Sequence, residues 1–427
     1  MKQLYAQHLA CVTRHFEKAL NQSDLDYLLI PSGAPVRMYM DDMDYPFKVN
    51  AYFNYLVPLT TVPHCWVLFK PGQKPILYFY QPTDYWHKVE TLAGQFWESH
   101  FDIVQCPQSK PAFSLPQGRG AVLGNVEPYP EFSELSINPP ELVAAINWSR
   151  AYKTDYEIAC LKAANEQALP AHKAAEIAFR EGLSEAEINA CYLNELRVTS
   201  DKTPYRNIVC LNENASILHY TVYNGERQKE NRSFLIDAGA SFNGYGSDIT
   251  RTYAKEPGEF QDLITAMDGI QQQLVKELAE VNTYSELHFR AHQLIAELLE
   301  ETGLVKSSAQ SIVEKNISST FFPHGLGHLL GLWVHDPGGH QANAAGGVNS
   351  PDPRYPFLRC TRKVEQNQVF TIEPGLYFIE SLLAELKASE NGGLIDWAKV
   401  ELYKPFGGIR IEDNVQVTAT GTLNLTR

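Results

Sequence analysis

The 427-residue sequence predicts two domains, an α/β domain over residues 1–150 and an α+β domain over residues 151–427. Three observations favour this division. The chain is longer than one hydrophobic core comfortably supports. Short strand-like runs alternate with turn clusters between residues 26 and 125. Beyond residue 153, helix-initiating signals come first and strands follow.

The N-terminal domain begins with an amphipathic helix over the first twenty residues, which are broken by Lys, Gln, His and Arg. This stretch lacks the apolar run of a signal peptide, and no window approaches the ~18 apolar residues that span a bilayer. The runs DYLLIP, HCWVLF and PILYFY predict strands. Four prolines between residues 127 and 140 exclude a continuous helix there. The domain boundary is therefore placed near residues 145 to 153.

Two capping boxes predict the first helices of the second domain. Thr154 and Glu157 form one, and Ser184 and Glu187 form the other. Pro170 lies inside the first helical pattern and is expected to kink or end it. A Gly- and Pro-rich loop at 338–356 is long enough to suggest a functional role.

Charge and cysteine content narrow the class of protein. A net charge of −14 without a dense basic run argues against a nucleic-acid partner. The seven cysteines are odd in number and form no CxxC pair, which argues against a cysteine zinc site and favours a reducing cytoplasm. We expect a cytoplasmic protein without a membrane partner.

The stretch LIDAGASFNGYGSDITRTY, residues 235–253, has the pattern of a hairpin with a two-residue Asn243-Gly244 loop. In that register Asp237 faces Thr250 and lies diagonal to Asp248 on the same face of the sheet. Two carboxylates would then converge where core residues belong.

Other polar side chains also stand in apolar surroundings. Glu373 ends a β-branched run before Pro374-Gly375, and Arg410 and Glu412 alternate along a predicted strand, hence on one face. His219 is predicted to be buried in the run ILHYT. The segment FFPHGLGHLLGLWVHD brings three histidines together: His324, His328 and His335.

Taken singly, such a carboxylate is usually a turn or capping residue, and such a histidine is usually a satisfied core residue. Together, four buried carboxylates need cations, and Arg410 alone cannot neutralise them. The four are Asp237, Asp248, Glu373 and Glu412. Two divalent ions ~3.5–4 Å apart, bridged by carboxylates and a water, would suffice and would create a nucleophile. His328 would supply the nitrogen ligand, and oxygen-rich ligation favours Mn²⁺, with Co²⁺ or Zn²⁺ as alternatives.

The same residues carry a resemblance. The order Asp, Asp, His, Glu, Glu in IDAGASFNGYGSDITRT, PHGLGH, TIEPGLY and GIRIEDN resembles the metallopeptidases of the pita-bread fold over roughly residues 200 to 420. MDDMDYPFKVNAYF, TDYWHKV and TPYRNIVCLNENASILHYT extend the similarity, nearly end to end, to the bacterial Xaa-Pro dipeptidase subgroup that also contains organophosphorus acid anhydrolase. The resemblance implies a pita-bread catalytic domain with five metal ligands: Asp237, Asp248, His328, Glu373 and Glu412. Asp248 and Glu412 would bridge the ions.

The resemblance also implies roles around the substrate. His219, His335 and Arg410 would surround the scissile bond and the substrate carboxylate. Tyr205 would line a small pocket, and Tyr284 and Leu358 would line a larger one. Asp42 would reach the partner's site across a homodimer and fix the peptide's amino group. Arg206 and Trp333 depart from the subgroup and could reshape the pocket.

The resemblance implies hydrolysis of the bond before a C-terminal proline in an Xaa-Pro dipeptide. Glu373 would move the proton, His219 or His335 would stabilise the oxyanion, and Arg410 would pair with the C-terminal carboxylate and so select dipeptides. A phosphotriester mimics the tetrahedral intermediate, so hydrolysis of organophosphorus esters or fluorides is an expected side activity.

Two alternatives share the framework. One is an Xaa-Pro aminopeptidase that acts on longer peptides, and the other is a catalytically silent binding protein, which the retention of all five ligand types argues against. A serine hydrolase and a helix-borne zinc site are disfavoured because neither GxSxG nor HExxH is present.

Overall fold

The structure is a computed structural model that describes residues 1–92, 94–111, 113–129, 132 and 135–427. It divides into two units. One comprises Met1–Cys160 with Asn343–Gly347, and the other comprises Leu161–Ala342 with Val348–Arg427. The boundary near residues 145 to 153 stays a prediction. Within the described ranges, no helix combines the length and the apolar character that crossing a bilayer requires.

The first unit is built around a mixed six-stranded sheet with the strand order β4-β3-β2-β1-β5-β6. Strand β1 pairs antiparallel with β2 and parallel with β5. The predicted first helix and the three predicted strands are confirmed. The elements are α1 Lys2–Gln22, β1 Tyr27–Pro31, α2 Ala51–Leu56, β2 Trp66–Phe69, β3 Ile76–Tyr80, β4 Asp102–Cys106, β5 Gly120–Val122, β6 Ser136–Ile137 and α3 Pro140–Arg150.

The rest of the described chain is helical at first and carries short antiparallel sheets later, as predicted. The helices are α4 Asp155–Arg180, α5 Glu185–Leu196, α6 Glu259–Glu277, α7 Tyr284–Glu301, α8 Ala309–Glu314, α9 Ser318–Phe321, α10 Glu380–Ala388 and α11 Trp397–Tyr403. The strands are β7 Ile208–Leu211, β8 Ser233–Ala238, β9 Ser241–Phe242, β10 Tyr245–Gly246, β11 Ile249–Ala254, β12 Gln341–Asn343, β13 Gly346–Val348, β14 Val369–Ile372, β15 Gly375–Tyr377, β16 Gly408–Arg410, β17 Asp413–Thr418 and β18 Gly421–Asn424. Strands β12 and β13 lie within the long 338–356 segment.

Both predicted capping boxes form. The Thr154 amide donates to Glu157 Oε2 over 2.9 Å, and the Ser184 amide donates to Glu187 Oε2 over 2.8 Å. Helix α4 does not end at Pro170 but continues to Arg180. Small buried alanines on α4 pack against the apolar face of β7 and β8. This packing compensates for the backbone hydrogen bond that Pro170 cannot donate, so the helix continues past Pro170.

Three small sheets position the site, with strand orders β11-β8-β7, β14-β17-β18 and β15-β16. Asn243 and Gly244 have φ of 52° and 88°, the left-handed values that a two-residue hairpin turn requires. The register then places Thr250 opposite Asp237, which confirms the predicted hairpin. An isolated bridge joins Thr250 to Glu412 and links this hairpin to the C-terminal strands.

Candidate metal centre

A cavity of about 580 Å³ lies in the second unit among the strands that carry the predicted ligands. Strand β8 contributes Asp237, Asp248 directly precedes β11, and Glu373 directly follows β14. The cavity wall contains nine of the polar residues that the sequence singled out: His219, Asp237, Asp248, His324, His328, His335, Glu373, Arg410 and Glu412. Residues far apart in the sequence thus share one pocket.

Three of these side chains approach one another closely enough to hold one ion. The ligand atoms of Asp248, His328 and Glu412 all lie within 4.8 Å of one another, and all three residues are buried. His328 Nε2 lies 3.4 Å from Asp248 Oδ2 and 3.9 Å from Glu373 Oε1. His328 Nδ1 is 2.9 Å from the Leu329 carbonyl oxygen. That contact fixes the ring and directs Nε2 at the carboxylates, as in metal-ligating histidines.

The excess of carboxylates in the cavity favours the binding of a cation. Burial raises the pKa of Asp237 to about 6 and that of Glu373 to about 7, and it raises the pKa of Glu412 well above its usual range. Burial also acts to raise the pKa of Asp248, but the adjacent His328 outweighs it and the pKa is lowered. Such shifts mean that Arg410 and the histidines do not compensate the clustered carboxylates. Divalent ions would supply the missing positive charge.

Arg410 is held entirely by groups of the site. It is 4% exposed, and it donates from Nη2 to Asp237 Oδ2 over 2.8 Å, from Nη1 to Tyr377 Oη over 2.9 Å and from Nε to Thr250 Oγ1 over 3.2 Å. Arg410 and Glu412 do not alternate along one strand as predicted. Strand β16 ends at Arg410, and Glu412 lies between β16 and β17 because its backbone pairs with Thr250 of β11 instead.

The prediction that His219 is buried was wrong. His219 is exposed, in a turn that follows the short 3₁₀ helix Asn212–Ser216, because this helix ends the strand β7 before the apolar run begins. The ring nevertheless lines the cavity. The ring centroid of His335 lies 4.5 Å from that of His328, and burial lowers the pKa of His335 to about 4.

Four other predicted substrate residues lie outside the cavity wall. The Tyr205 hydroxyl lies 2.7 Å from Asp237 Oδ1 and 2.6 Å from Asp248 Oδ1. Tyr284 is fully buried and donates to the Thr371 carbonyl oxygen over 2.6 Å, and Leu358 is buried as well. Asp42 lies on an exposed segment of the first unit. The substrate roles of Tyr205, Tyr284, Leu358 and Asp42 stay predictions.

Some residues at the site received no role from the sequence. His324 Nε2 is 2.8 Å from the Tyr377 hydroxyl, which accepts from Arg410. Arg359, an exposed residue of the loop after β13, also lines the cavity. Tyr377 lies four positions after Glu373 in an apolar run, and a polar hydroxyl in that position is a sequence signal that could have identified it. No local pattern marks Arg359.

Two successive parts of the chain match two family descriptions, "Xaa-Pro dipeptidase, N-terminal domain" over residues 3–148 and "Metallopeptidase family M24" over residues 159–419. A Pseudoalteromonas haloplanktis protein named Xaa-Pro dipeptidase is 47% identical over 99% of this chain and 98% of its own length. One of the same name from Aeromonas hydrophila subsp. hydrophila is 46% identical over 100% and 98%.

Solved structures share the fold at lower identity. Proline aminopeptidase P II from Yersinia pestis matches with a TM-score of 0.70 and 22% identity over 100% of this chain and 96% of its own. E. coli aminopeptidase P with the inhibitor Pro-Leu matches with a TM-score of 0.70 and 23% identity over 100% and 95%. The predicted α/β N-terminal domain and pita-bread catalytic domain are confirmed. This chain belongs to metallopeptidase family M24 and, within it, to the Xaa-Pro dipeptidases.

Proposed function

We propose that this chain hydrolyses the peptide bond before the C-terminal proline of Xaa-Pro dipeptides at a dinuclear metal centre. One observation carries the proposal. Four carboxylates and one histidine, brought together from four separate segments of the chain, surround a single cavity without enough positive charge to balance them.

The residues that would hold the ions are Asp237, Asp248, His328, Glu373 and Glu412, and we propose that Asp248 and Glu412 would be the bridging ligands. Oxygen-rich ligation favours Mn²⁺ over Co²⁺ or Zn²⁺. When bound, two such cations neutralise the carboxylates and acidify a water for attack on a carbonyl. The fixed ring of His328 and the contact of Arg410 with Asp237 pre-orient two of the ligands.

Glu373 is the proposed proton carrier. Its side chain is partly exposed to the cavity, at 17%, so its carboxylate can reach a water held there. It would take a proton from the attacking water and deliver it to the proline nitrogen. Desolvation within the cavity lowers the pKa values of His219 and His335, which favours the neutral imidazole, and a ring N–H can donate a hydrogen bond to the oxyanion.

The substrate carboxylate needs a cation with free donors. The sequence favoured Arg410, but this residue is buried, and three of its five N–H groups are engaged by Asp237, Tyr377 and Thr250. Arg359 lines the same cavity, and its charge contributes to lowering the pKa values of His219 and His335, so it lies near both. We therefore place the C-terminal carboxylate at Arg359 and assign Arg410 to the positioning of Asp237.

A homodimer is part of the proposal. Tyr39, Met40 and Met43 are exposed around Asp42 in the first unit, and an exposed apolar cluster of this kind suits a protein interface. Asp42 would reach the partner's cavity and fix the dipeptide's amino group. Sedimentation equilibrium of the wild-type chain and of an Asp42→Asn variant would test the dimer and the site separately. A monomeric wild type would contradict this part.

The main experiment is metal analysis of the purified chain, followed by hydrolysis assays of the metal-stripped and Mn²⁺-reloaded protein. The substrates are a panel of Xaa-Pro dipeptides, the matching Xaa-Pro-Yaa tripeptides and an organophosphorus triester. We expect two ions per chain, and cleavage of dipeptides well above tripeptides. Equal cleavage of longer peptides would favour the aminopeptidase alternative. A metal-loaded protein that cleaves no Xaa-Pro peptide would favour the silent binding protein.

A further inference from the structure

An ionic network around one buried carboxylate lies beside the proposed metal ligand Glu412. We call it the Asp413 network; it comprises Arg251, Asp268, Asp413, Asn424 and Arg427. The Asp413 carboxylate is fully buried, and its Oδ1 accepts from Arg251 Nη2 over 2.6 Å. Its Oδ2 accepts from Arg427 Nε over 2.6 Å and from Asn424 Nδ2 over 2.7 Å. Both oxygens are thus held by charged groups.

The network is balanced in charge but is not an obvious source of stability. Arg427 also donates from Nη2 to Asp268 Oδ1 over 2.5 Å, so two arginines meet two aspartates. Burying ions costs desolvation free energy that their attraction often only offsets. Such a network does, however, fix geometry, because the two fork-shaped guanidinium groups leave Asp413 little freedom to move.

The Asp413 network and the adjacent Asn414 hold the backbone of two segments that carry proposed ligands, around Asp248 and around Glu412. Arg251 donates from Nη1 to the carbonyl oxygens of Thr250, over 2.8 Å, and Glu412, over 2.7 Å. Asn414, which follows Asp413 in the sequence, binds both backbone groups of Asp248. Its Oδ1 accepts from the Asp248 amide over 3.0 Å, and its Nδ2 donates to the Asp248 carbonyl oxygen over 2.5 Å. The two proposed bridging ligands are therefore held by the segment that Asp413 anchors.

We infer that Arg427 is a positioning residue for the metal centre. Acting through Asp413 and Arg251, it sets the separation of Asp248 and Glu412. The inference rests on the metal site of the proposed function. Partners outside the ligand sphere that orient ligands typically change metal affinity or activity 10- to 100-fold when they are removed. A purely structural role for Arg427 would change the free energy of unfolding and leave the metal affinity of the folded chain unaltered.

The test is Arg427→Gln in the full chain, with Mn²⁺ binding to the metal-stripped protein measured by calorimetry without substrate. We expect the affinity for at least one ion to fall about tenfold or more. In the fully loaded enzyme, kcat should fall while KM stays within about twofold. Arg427→Lys, which keeps the charge but not the fork, should recover part of the affinity. The matched control is Arg227→Gln, which removes an exposed bidentate pair with Glu187 and should bind Mn²⁺ like the wild type.

A folded Arg427→Gln variant with wild-type Mn²⁺ affinity would overturn the inference. If that variant does not fold, Asp268→Asn replaces it, because this partly exposed side chain contacts the outer edge of Arg427 and leaves Asp413 in place. A smaller loss of affinity in the same direction is then expected, and an unchanged affinity would count against the positioning role. Since binding is measured without substrate, failure of the wild type to cleave Xaa-Pro dipeptides would contradict the proposed function alone.

Discussion

Arg410 donates from Nη2 to Asp237 Oδ2 over 2.8 Å, with both side chains largely buried. The contact joins a buried guanidinium group to one of the proposed metal ligands. Because Tyr377 and Thr250 accept two further hydrogen bonds from Arg410, its guanidinium is a fixed part of the site. A substrate carboxylate would have only the two remaining N–H groups, one on each Nη atom, to bind there.

Arg410→Lys separates the two roles. A lysine ammonium cannot reproduce the planar fork, so Asp237 should lose its orientation. We expect Mn²⁺ affinity and kcat to fall about tenfold, with a smaller change in KM, measured by calorimetry and steady-state kinetics. A rise in KM with kcat and metal affinity unchanged would instead support the carboxylate role that the sequence predicted.

Arg359→Gln tests the proposed carboxylate site. Losing a charge-assisted hydrogen bond should raise KM for a dipeptide about 10- to 100-fold, with little change in kcat. A C-terminally amidated dipeptide should bind the variant and the wild type alike. Arg354→Gln is the matched control, because Arg354 pairs with Asp352 in the same loop and does not line the cavity. An equal KM for the Arg359→Gln variant and the wild type would remove Arg359 from the substrate site.

Glu373→Gln removes the proposed proton carrier while keeping an oxygen ligand. The kcat for dipeptide hydrolysis should fall about 10²- to 10⁴-fold. Metal content, measured on the same samples, distinguishes a lost proton transfer from a lost ion. Glu380→Gln, at an exposed residue paired with Lys404, serves as the control. A variant with full activity and both ions bound would exclude this role for Glu373.

The buried His288 is expected to lower the stability of the folded chain at acid pH, and His288→Phe should remove this effect. His288 is 1% exposed, and neither ring nitrogen has a hydrogen-bond partner in the described part of the chain. Burial lowers the pKa of His288 to about 3, although the charge of Asp352 opposes the shift. Between pH 6.5 and 3 the unfolded chain binds a proton that the folded chain excludes, so this group costs stability as the pH falls.

At pH 5 the cost is about 2 kcal/mol, from ~1.4 kcal/mol per pH unit below 6.5. The phenyl ring that replaces the imidazole in the variant cannot titrate. The unfolding free energy of the wild type should therefore fall relative to the variant by that amount between pH 7.5 and pH 5. Urea denaturation at both pH values measures it. Parallel pH dependence of wild type and His288→Phe would contradict the prediction.

The sequence by itself determined much of the local structure. Alternation with period two, together with Asn243-Gly244, fixed which residues share a sheet face, so the pairing of Asp237 with Thr250 could be predicted. The capping boxes fixed where α4 and α5 begin. These features depend on neighbours a few residues away, and such interactions can be predicted from a short stretch of sequence.

Only the tertiary structure decided which groups the polar side chains meet. Arg410 binds Asp237, Arg427 binds Asp413 and Asp268, and His219 lies in an exposed turn instead of a strand. Each outcome depends on the packing of segments that are distant along the chain, where several partners of suitable charge compete for the same side chain. Periodicity can place a side chain on a face, but the partner on that face is chosen by the whole core, because a buried charge must be matched wherever the fold brings one within reach.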